Sequence, residues 1–228
     1  MNQEKHIWDI VESGSTSEVI GVIKSYISLI DQHLEFTGAN LDRAAENLVL
    51  YNLLRKVKVY LYCLMSSLSG PTEPIGFVTR YLFELNLITR YVLMGKENLI
   101  LFVAESAADK IQIDEGLLEL RDISYKKDVK MLEEDIARQK ANLEKYNFPF
   151  KKPAPIIAIA GMVGAELEYK ALYKLFSKYI HPSSYSINVG YESLFTDAQL
   201  RTVFLAFALL YAGDTFQRVK EATMGDVV

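Results

Sequence analysis

The sequence lacks the features that mark extracellular, metal-binding and many enzymatic proteins. Of its 228 residues one is a cysteine, Cys63, so no internal disulfide can form and a reducing, cytoplasmic compartment is expected. Its three histidines are scattered, and no histidine, cysteine and carboxylate grouping has metal-ligand spacing. No phosphate-binding loop or nucleophile elbow is present either. We therefore expect neither a metal nor a cofactor.

Long apolar segments are also absent. The longest runs of apolar residues and glycine are Pro155–Ala165 and Val203–Gly213. Both are well short of the roughly 20 residues that span a bilayer. The N-terminal residues lack the apolar stretch of a signal peptide, so no membrane partner is expected. A net charge of −4 gives no general attraction to nucleic acid, and DNA is not an expected partner.

What remains is a chain with strong helical patterning. Half of the residues are apolar, which is enough for a sizeable core, and strand signals are absent throughout. A capping-box sequence at Ser15 predicts a helix start, and Gly70 followed by Pro71 predicts a helix end. No linker-like stretch divides the chain. We predict one all-α domain over residues 1–228, a bundle of about seven helices in which the third, over 72–94, is central and largely buried.

Residues 117–147 form the most charged part of the chain and predict one helix. Seven positions along it recur at alternating steps of four and three, as in a short heptad seam: Tyr125, Val129, Leu132, Ile136, Gln139, Leu143 and Tyr146. One interpretation is an ordinary amphipathic helix that packs on its own core. The other is a protruding arm that pairs with its copy, and on that basis we expect a homodimer.

The third predicted helix places a charged pair where apolar residues dominate. On a helical wheel Arg80 and Glu84 fall within the apolar arc, whereas Thr79, Asn86 and Arg90 fall on what should be the solvent side. A charged pair is costly to desolvate. It is therefore either an ion pair that fixes the register of the helix or part of a polar functional site.

A second polar cluster lies on the helix that Pro182 ends. Four residues spaced by four form a ladder along it: Tyr169, Tyr173, Ser177 and His181. Lys170 and Lys174 lie beside the ladder. Because the residue before a proline disfavours helical geometry, His181 should lie at the very end of the helix. We expect Arg80 and Glu84 to meet this ladder in one polar constellation.

Both clusters resemble motifs of a bacterial family of uncharacterised helical proteins. In that family an Arg-x-x-x-Glu helix precedes a Tyr-x-x-x-Ser-x-x-x-His-Pro-Ser element. Here the two motifs are Arg80 with Glu84 and the element from Tyr173 to Ser183, within a region of similarity over roughly residues 40–215.

More distantly, the pattern is similar to HEPN domains, helical bundles found in toxins, RNases and phage-defence systems. The resemblance implies a HEPN-like bundle. In the HEPN nucleases an arginine precedes a histidine near a helix end. Residues 174–176 here read Lys-Leu-Phe, so Lys174 is the basic residue closest to that place before His181.

Two function classes are compatible with these residues. The first is a non-catalytic binding or regulatory module with a polar pocket around Arg80, Glu84 and His181. The alternative is a HEPN-like, metal-independent RNase or a defence or toxin effector. There His181 would act as general acid or base, and Lys174 or Arg80 would stabilise charge on the phosphate. RNA or a small ligand is the expected partner in either case, with four further binding residues: Tyr169, Tyr173, Ser177 and Lys170.

Overall fold

The described part of the chain is entirely helical. The computed structural model describes residues 7–39, 45–120, 126–148, 154–180, 184–188 and 194–224, and every regular element within them is an α-helix. In chain order the helices are α1 Ile7–Ser13, α2 Thr16–Ala39, α3 Ala45–Ser67, α4 Thr72–Leu93, α5 Lys96–Glu119, α6 Lys126–Lys145, α7 Ile156–Met162, α8 Glu166–Tyr179, α9 Ser184–Asn188 and α10 Leu194–Met224. The all-α prediction is confirmed. The described helices outnumber the predicted seven because short segments such as α1 and α9 carry too little periodicity to be recognised.

The helix ends show where local sequence signals suffice. The capping box before α2 forms as predicted, since the backbone amide of Ser15 donates to Glu18 and the amide of Glu18 donates to the Ser15 hydroxyl. The predicted helix over 117–147 is wrong at its start, because α5 continues to Glu119 and α6 begins only at Lys126. Charge and periodicity run across this boundary in the sequence and so conceal it.

Contacts along the chain divide it into two compact units. The first contains residues 1–90 and 156–228, and the second contains residues 91–155. That the whole chain behaves as one domain stays a prediction. No helix among the described residues combines the length and apolarity needed to cross a bilayer.

Helix α4 is the most enclosed helix of the first unit, in agreement with its apolar sequence. Its residues Ile75, Leu82 and Leu87 are completely buried. At Gly76 the helix approaches α10 so closely that an added Cβ atom would lie 3.0 Å from the ring of Phe204. Any larger residue at this position would therefore have to push the Phe204 ring away by a few tenths of an ångström.

The polar stripe of α4 faces the protein, so the predicted solvent side was wrong. Thr79 is completely buried and donates its hydroxyl to the carbonyl of Phe204 on α10, at 3.0 Å. Asn86, 2% exposed, donates to a carboxylate oxygen of Asp214, at 2.7 Å. A helical wheel gives only the angle of each side chain, and here polar partners on α10 satisfy a stripe that water was expected to cover.

This buried stripe also affects an acid on α10. Burial alone would raise the pKa of Asp214, but hydrogen bonds from Arg218 and Asn86 outweigh it and hold the pKa below its usual value. Asp214 is therefore a carboxylate at neutral pH, and the amide of Asn86 stabilises its charge by a hydrogen bond, together with the charges of Arg218 and Arg90.

In the second unit the heptad seam packs on the neighbouring helix of the same chain. Leu143 is 4% exposed and lies in a cluster with Ala104 and Ile111 of α5, against which Ile136 is also packed. Lys110 of α5 joins Asp135 of α6 at 3.0 Å. Tyr125, at the start of the seam, lies outside the described residues. The arm interpretation is thus not supported, and a homodimer built on this seam loses the apolar contact that motivated it.

Asn86→Ala should lower the free energy of unfolding by about 2–4 kcal/mol, because it removes a buried hydrogen bond to a carboxylate and leaves a void. Asn52→Ala, at an exposed position of α3, should change it by less than about 0.5 kcal/mol. Urea unfolding followed by circular dichroism measures both. Equal effects would mean that the stripe faces solvent after all.

Leu143→Ala should lower the free energy of unfolding of the second unit by about 2–4 kcal/mol, because it opens a cavity between α5 and α6. Met131→Ala, on the same helix but 61% exposed, is the matched control and should be nearly neutral. Thermal denaturation at several protein concentrations checks this. If Leu143→Ala lowered the free energy of unfolding only at concentrations where the protein self-associates, the arm interpretation would be restored.

Candidate functional site

Four side chains of α4 form one continuous face beside its buried stripe. Phe77, Arg80, Tyr81 and Glu84 fall within about 100° of arc at 100° per residue. Both aromatic side chains of this face are exposed, Phe77 to 45% and Tyr81 to 37%, whereas Thr79 and Asn86 of the neighbouring stripe are buried. The charged pair thus lies on a surface that includes large aromatic rings.

Arg80 and Glu84 form an ion pair within this face. The Arg80 Nε donates to a Glu84 carboxylate oxygen at 2.8 Å, and each side chain is 25% exposed. Partial burial opposes the charge of Arg80, but the hydrogen bond and charge of Glu84 outweigh it, so the pKa of Arg80 is raised further. The pair is charged at neutral pH and accessible to water. It is not the fully desolvated pair that the apolar arc suggested.

Two tyrosines of α8 complete the site on one side. The Tyr173 ring lies 6.0 Å from the guanidinium carbon of Arg80, within the range of a cation–π contact. Behind it Tyr169 is buried and stacks on both Tyr173 and Phe83, with centroids 5.7 and 6.2 Å apart. Burial, and then the charge of Glu84, raises the pKa of the Tyr169 phenol. Tyr173 itself is 47% exposed, so one ring face or edge is available to a ligand.

Helix α3 contributes to a second cluster of aromatic rings at the site. Tyr60 of α3 stacks on Tyr81 with ring centroids 4.7 Å apart and planes 20° apart, and Phe77 lies 4.7 Å from the same ring. Burial raises the pKa of Tyr60, and the charge of Glu84 adds to the shift. Glu84 is thus close enough to act electrostatically on tyrosines from both α3 and α8. We call Arg80, Glu84, Tyr60, Tyr81 and Tyr173 the tyrosine–arginine site.

Contacts at two points fix the position of α8. At its start, Gly164 adopts a positive φ of 73°, and the amide of Ala165 donates back to the carbonyl of Ala160 at 2.7 Å. These are the features of a glycine-terminated turn that ends α7 and redirects the chain. Arg90 of α4 then donates to the carbonyl of Val163 in this turn, at 2.5 Å.

A buried hydroxyl on α10 holds α8 at a second point. Tyr211 donates to a Glu168 carboxylate oxygen at 2.5 Å, while its ring packs 4.8 Å from that of Phe83. Burial and the hydrogen bond to Glu168 raise the pKa of Tyr211 far above its usual value, so its proton stays in place as a donor. The turn at Gly164 and this bond together place Tyr169 and Tyr173 against α4.

The remaining residues expected at the site have other surroundings. Lys170 pairs with Glu166 of its own helix at 2.5 Å, Lys174 is exposed, and the Ser177 hydroxyl donates to the carbonyl of Lys174 at 3.1 Å. Lys170 and Ser177 thus interact within α8, and Lys174 faces solvent. His181 lies outside the described residues. Its meeting with Arg80 and Glu84 stays a prediction.

Sequence reasoning missed the α3 and α4 aromatics as site residues. The spacing of four between Phe77 and Tyr81, on the same face as Arg80 and Glu84, was a usable signal for α4. No sequence signal pointed to Tyr60, because its position beside Tyr81 depends on how α3 packs against α4. Among the described residues no group of three histidine, cysteine or carboxylate side chains is arranged to hold a metal ion.

Comparison with known proteins gives one result. Residues 47–197 match the model of a family described as "Family of unknown function (DUF5677)". The chain belongs to this family. The DUF5677 match extends from α3 to the start of α10 and so includes every residue of the tyrosine–arginine site. No curated protein and no solved structure matches the chain significantly.

Glu84→Gln should lower the free energy of unfolding by about 1 kcal/mol or less, because water reaches both partners of the pair. Glu134→Gln, which breaks the exposed i,i+4 pair of Lys130 and Glu134 on α6, is the control with no aromatic surroundings. Urea unfolding of the two variants gives the comparison. A loss of more than about 3 kcal/mol at Glu84 alone would show that the pair is a buried structural element.

Proposed function

We propose that the chain is a non-catalytic binding module whose tyrosine–arginine site takes a ligand with a planar ring and an anionic group. The observation that carries the proposal is the exposure of this site. Arg80 and Glu84 are charged and a quarter exposed, and they lie between accessible tyrosine rings. A pair whose only role was structural would gain nothing from exposed aromatic neighbours.

The chemistry of the described side chains favours binding over proton transfer. An efficient general acid or base needs a pKa near the working pH. The pKa values of Arg80, Tyr60 and Tyr169 are instead raised, further from neutrality than their ordinary values. These groups can donate hydrogen bonds and stabilise charge without changing protonation state.

The ligand class follows from what each group can contact. Rings such as those of Tyr173 and Tyr81 offer stacking surfaces, and stacking of a base on an aromatic side chain contributes about 1–3 kcal/mol. The guanidinium of Arg80 attracts an anionic group, and Glu84 accepts hydrogen bonds from the ring N–H or exocyclic amino groups of a base. Nucleotides combine both features, so free nucleotides and unpaired RNA are the ligands to test.

The alternative is the HEPN-like RNase or defence effector, in which His181 performs acid–base catalysis. It is supported by the resemblance of the α8 motif and by Lys174, which is exposed one turn beyond Lys170. For ligand binding and for RNA cleavage alike we propose a cytoplasmic location, because a lone cysteine suits a reducing compartment.

Calorimetric titration with AMP and with a short single-stranded RNA tests the proposal. We expect binding of at least one probe with a Kd of about 1 mM or tighter. Tyr173→Ala should weaken it by about tenfold through loss of stacking, whereas Tyr173→Phe should retain it. Lys130→Gln, an exposed change on α6, is the control for loss of positive charge and should bind like the wild type.

The same samples distinguish the alternative. Intact RNA after prolonged incubation supports the binding module. RNA cleavage that His181→Ala abolishes, in a protein with unchanged melting temperature, would establish the RNase instead. Failure of both probes to bind would contradict the proposed ligand class.

A further inference from the structure

A second open groove lies between α2 and α3, away from the tyrosine–arginine site. The two helices run antiparallel, with Asp31 opposite Lys58 and Gly38 opposite Tyr51. The groove encloses about 650 Å³. That is within the range of roughly 300–1,000 Å³ found for ligand pockets. The family match begins at residue 47, so the α2 side of this groove lies outside the matched range.

The two sides of the groove carry opposite charges. Helix α2 contributes Asp31 and Glu35, one turn apart, and α3 contributes Arg55 and Lys58. Lys58 forms an ion pair with Asp31, and this hydrogen bond raises the pKa of Lys58 although its partial burial opposes the charge. These two charges neutralise each other within the groove, between Arg55 and Tyr62 along α3.

The next pair along the groove is left open. Glu35 faces Arg55 across it, both side chains are exposed, and no ion pair joins them. A carboxylate and a guanidinium are thus held on opposite sides of a space that a ligand can enter. A ligand that carried both an ammonium and a carboxylate would satisfy both sides, whereas a ligand with one charge would satisfy only one.

Aromatic and apolar side chains border this open pair. Tyr51 and Tyr62 line the groove with Leu34 and Val59. Gly38 lies against the Tyr51 ring, where an added Cβ atom would be in van der Waals contact at 3.6 Å, so glycine leaves this part of the ring uncovered. The groove therefore offers an apolar surface next to the two unpaired charges.

Tyr51 also borders a smaller inner cavity of about 60 Å³, which His33, Thr37, Asn47 and Thr223 help to line. The Thr223 hydroxyl donates its hydrogen bond to the carbonyl of Val219 on its own helix, so in the 2.9 Å contact with His33 it accepts a hydrogen bond from Nε2–H. Burial, and then the charge of Lys220, lowers the pKa of His33. The inner cavity is polar and carries no net charge at neutral pH.

We infer that the α2–α3 groove binds a small zwitterion of the α-amino-acid class with an apolar or aromatic side chain. Its ammonium group contacts Glu35, its carboxylate contacts Arg55, and its side chain packs on Tyr51, one turn from Arg55 on α3. This site is separate from the tyrosine–arginine site and does not depend on the function proposed for it. It shares no residue with that site.

Three probes of the same size test the inference: L-phenylalanine, phenethylamine, which keeps only the ammonium, and 3-phenylpropionate, which keeps only the carboxylate. Calorimetry and NMR titration should show L-phenylalanine binding, with each single-charge analogue at least about tenfold weaker. Absence of saturable L-phenylalanine binding up to about 10 mM would overturn the inference. So would equal affinity for all three probes.

Variants locate the binding. Glu35→Gln and Arg55→Gln should each weaken L-phenylalanine binding by about tenfold. Each should also reduce the preference for L-phenylalanine over one analogue: over 3-phenylpropionate, which lacks the ammonium, in Glu35→Gln, and over phenethylamine, which lacks the carboxylate, in Arg55→Gln. Lys56→Gln, exposed on α3 next to Arg55 but not lining the groove, is the matched control. Circular dichroism checks that each variant is folded, and wild-type NMR shifts at Tyr51 give a readout that needs no variant. Binding that neither variant alters would place the ligand elsewhere and refute the inference.

Discussion

The need to satisfy the polar side chains of one enclosed helix governs the first unit. Helix α4 carries polar groups on two faces, and burial without partners would cost several kcal/mol for each charged group. The polar groups of one face form hydrogen bonds with α10. Thr79 donates to the Phe204 carbonyl, and Asn86 donates to Asp214. The other face carries Arg80 and Glu84, which pair with each other and remain partly in water. The buried stripe fixes α4 in place, and the second face carries the partly exposed charged pair.

The packing around α4 explains why the site is well defined. Arg90 and Phe83 of α4 contact the turn before α8 and the rings of Tyr169 and Tyr211. The tyrosines of α8 are therefore placed by contacts that lie behind the site. Side chains held in this way lose little conformational entropy on binding, which is the basis of preorganisation. Under the proposed function, these positioned rings around a charged pair form the surface that recognises the ligand.

How much the sequence reveals depends on whether a feature is local. The all-helical class and the start of α2 follow from short-range signals, namely the absence of strand patterns and the reciprocal bonds of Ser15 and Glu18. Periodicity also indicated that Arg80, Glu84 and Tyr173 were unusual. It did not indicate that Asn86 meets Asp214, because a wheel has no information on neighbouring helices. Tyr60 and the break between α5 and α6 escaped prediction for the same reason: both depend on tertiary packing.

The central claim is that the Arg80–Glu84 pair serves recognition and contributes little to stability. The affinity of Arg80→Gln for AMP, measured by calorimetry at a temperature where the variant is fully folded, tests it most directly. Loss of the guanidinium removes the charge that attracts the phosphate, so the account predicts binding about tenfold weaker than in the wild type. Unchanged affinity in a folded variant would contradict the account.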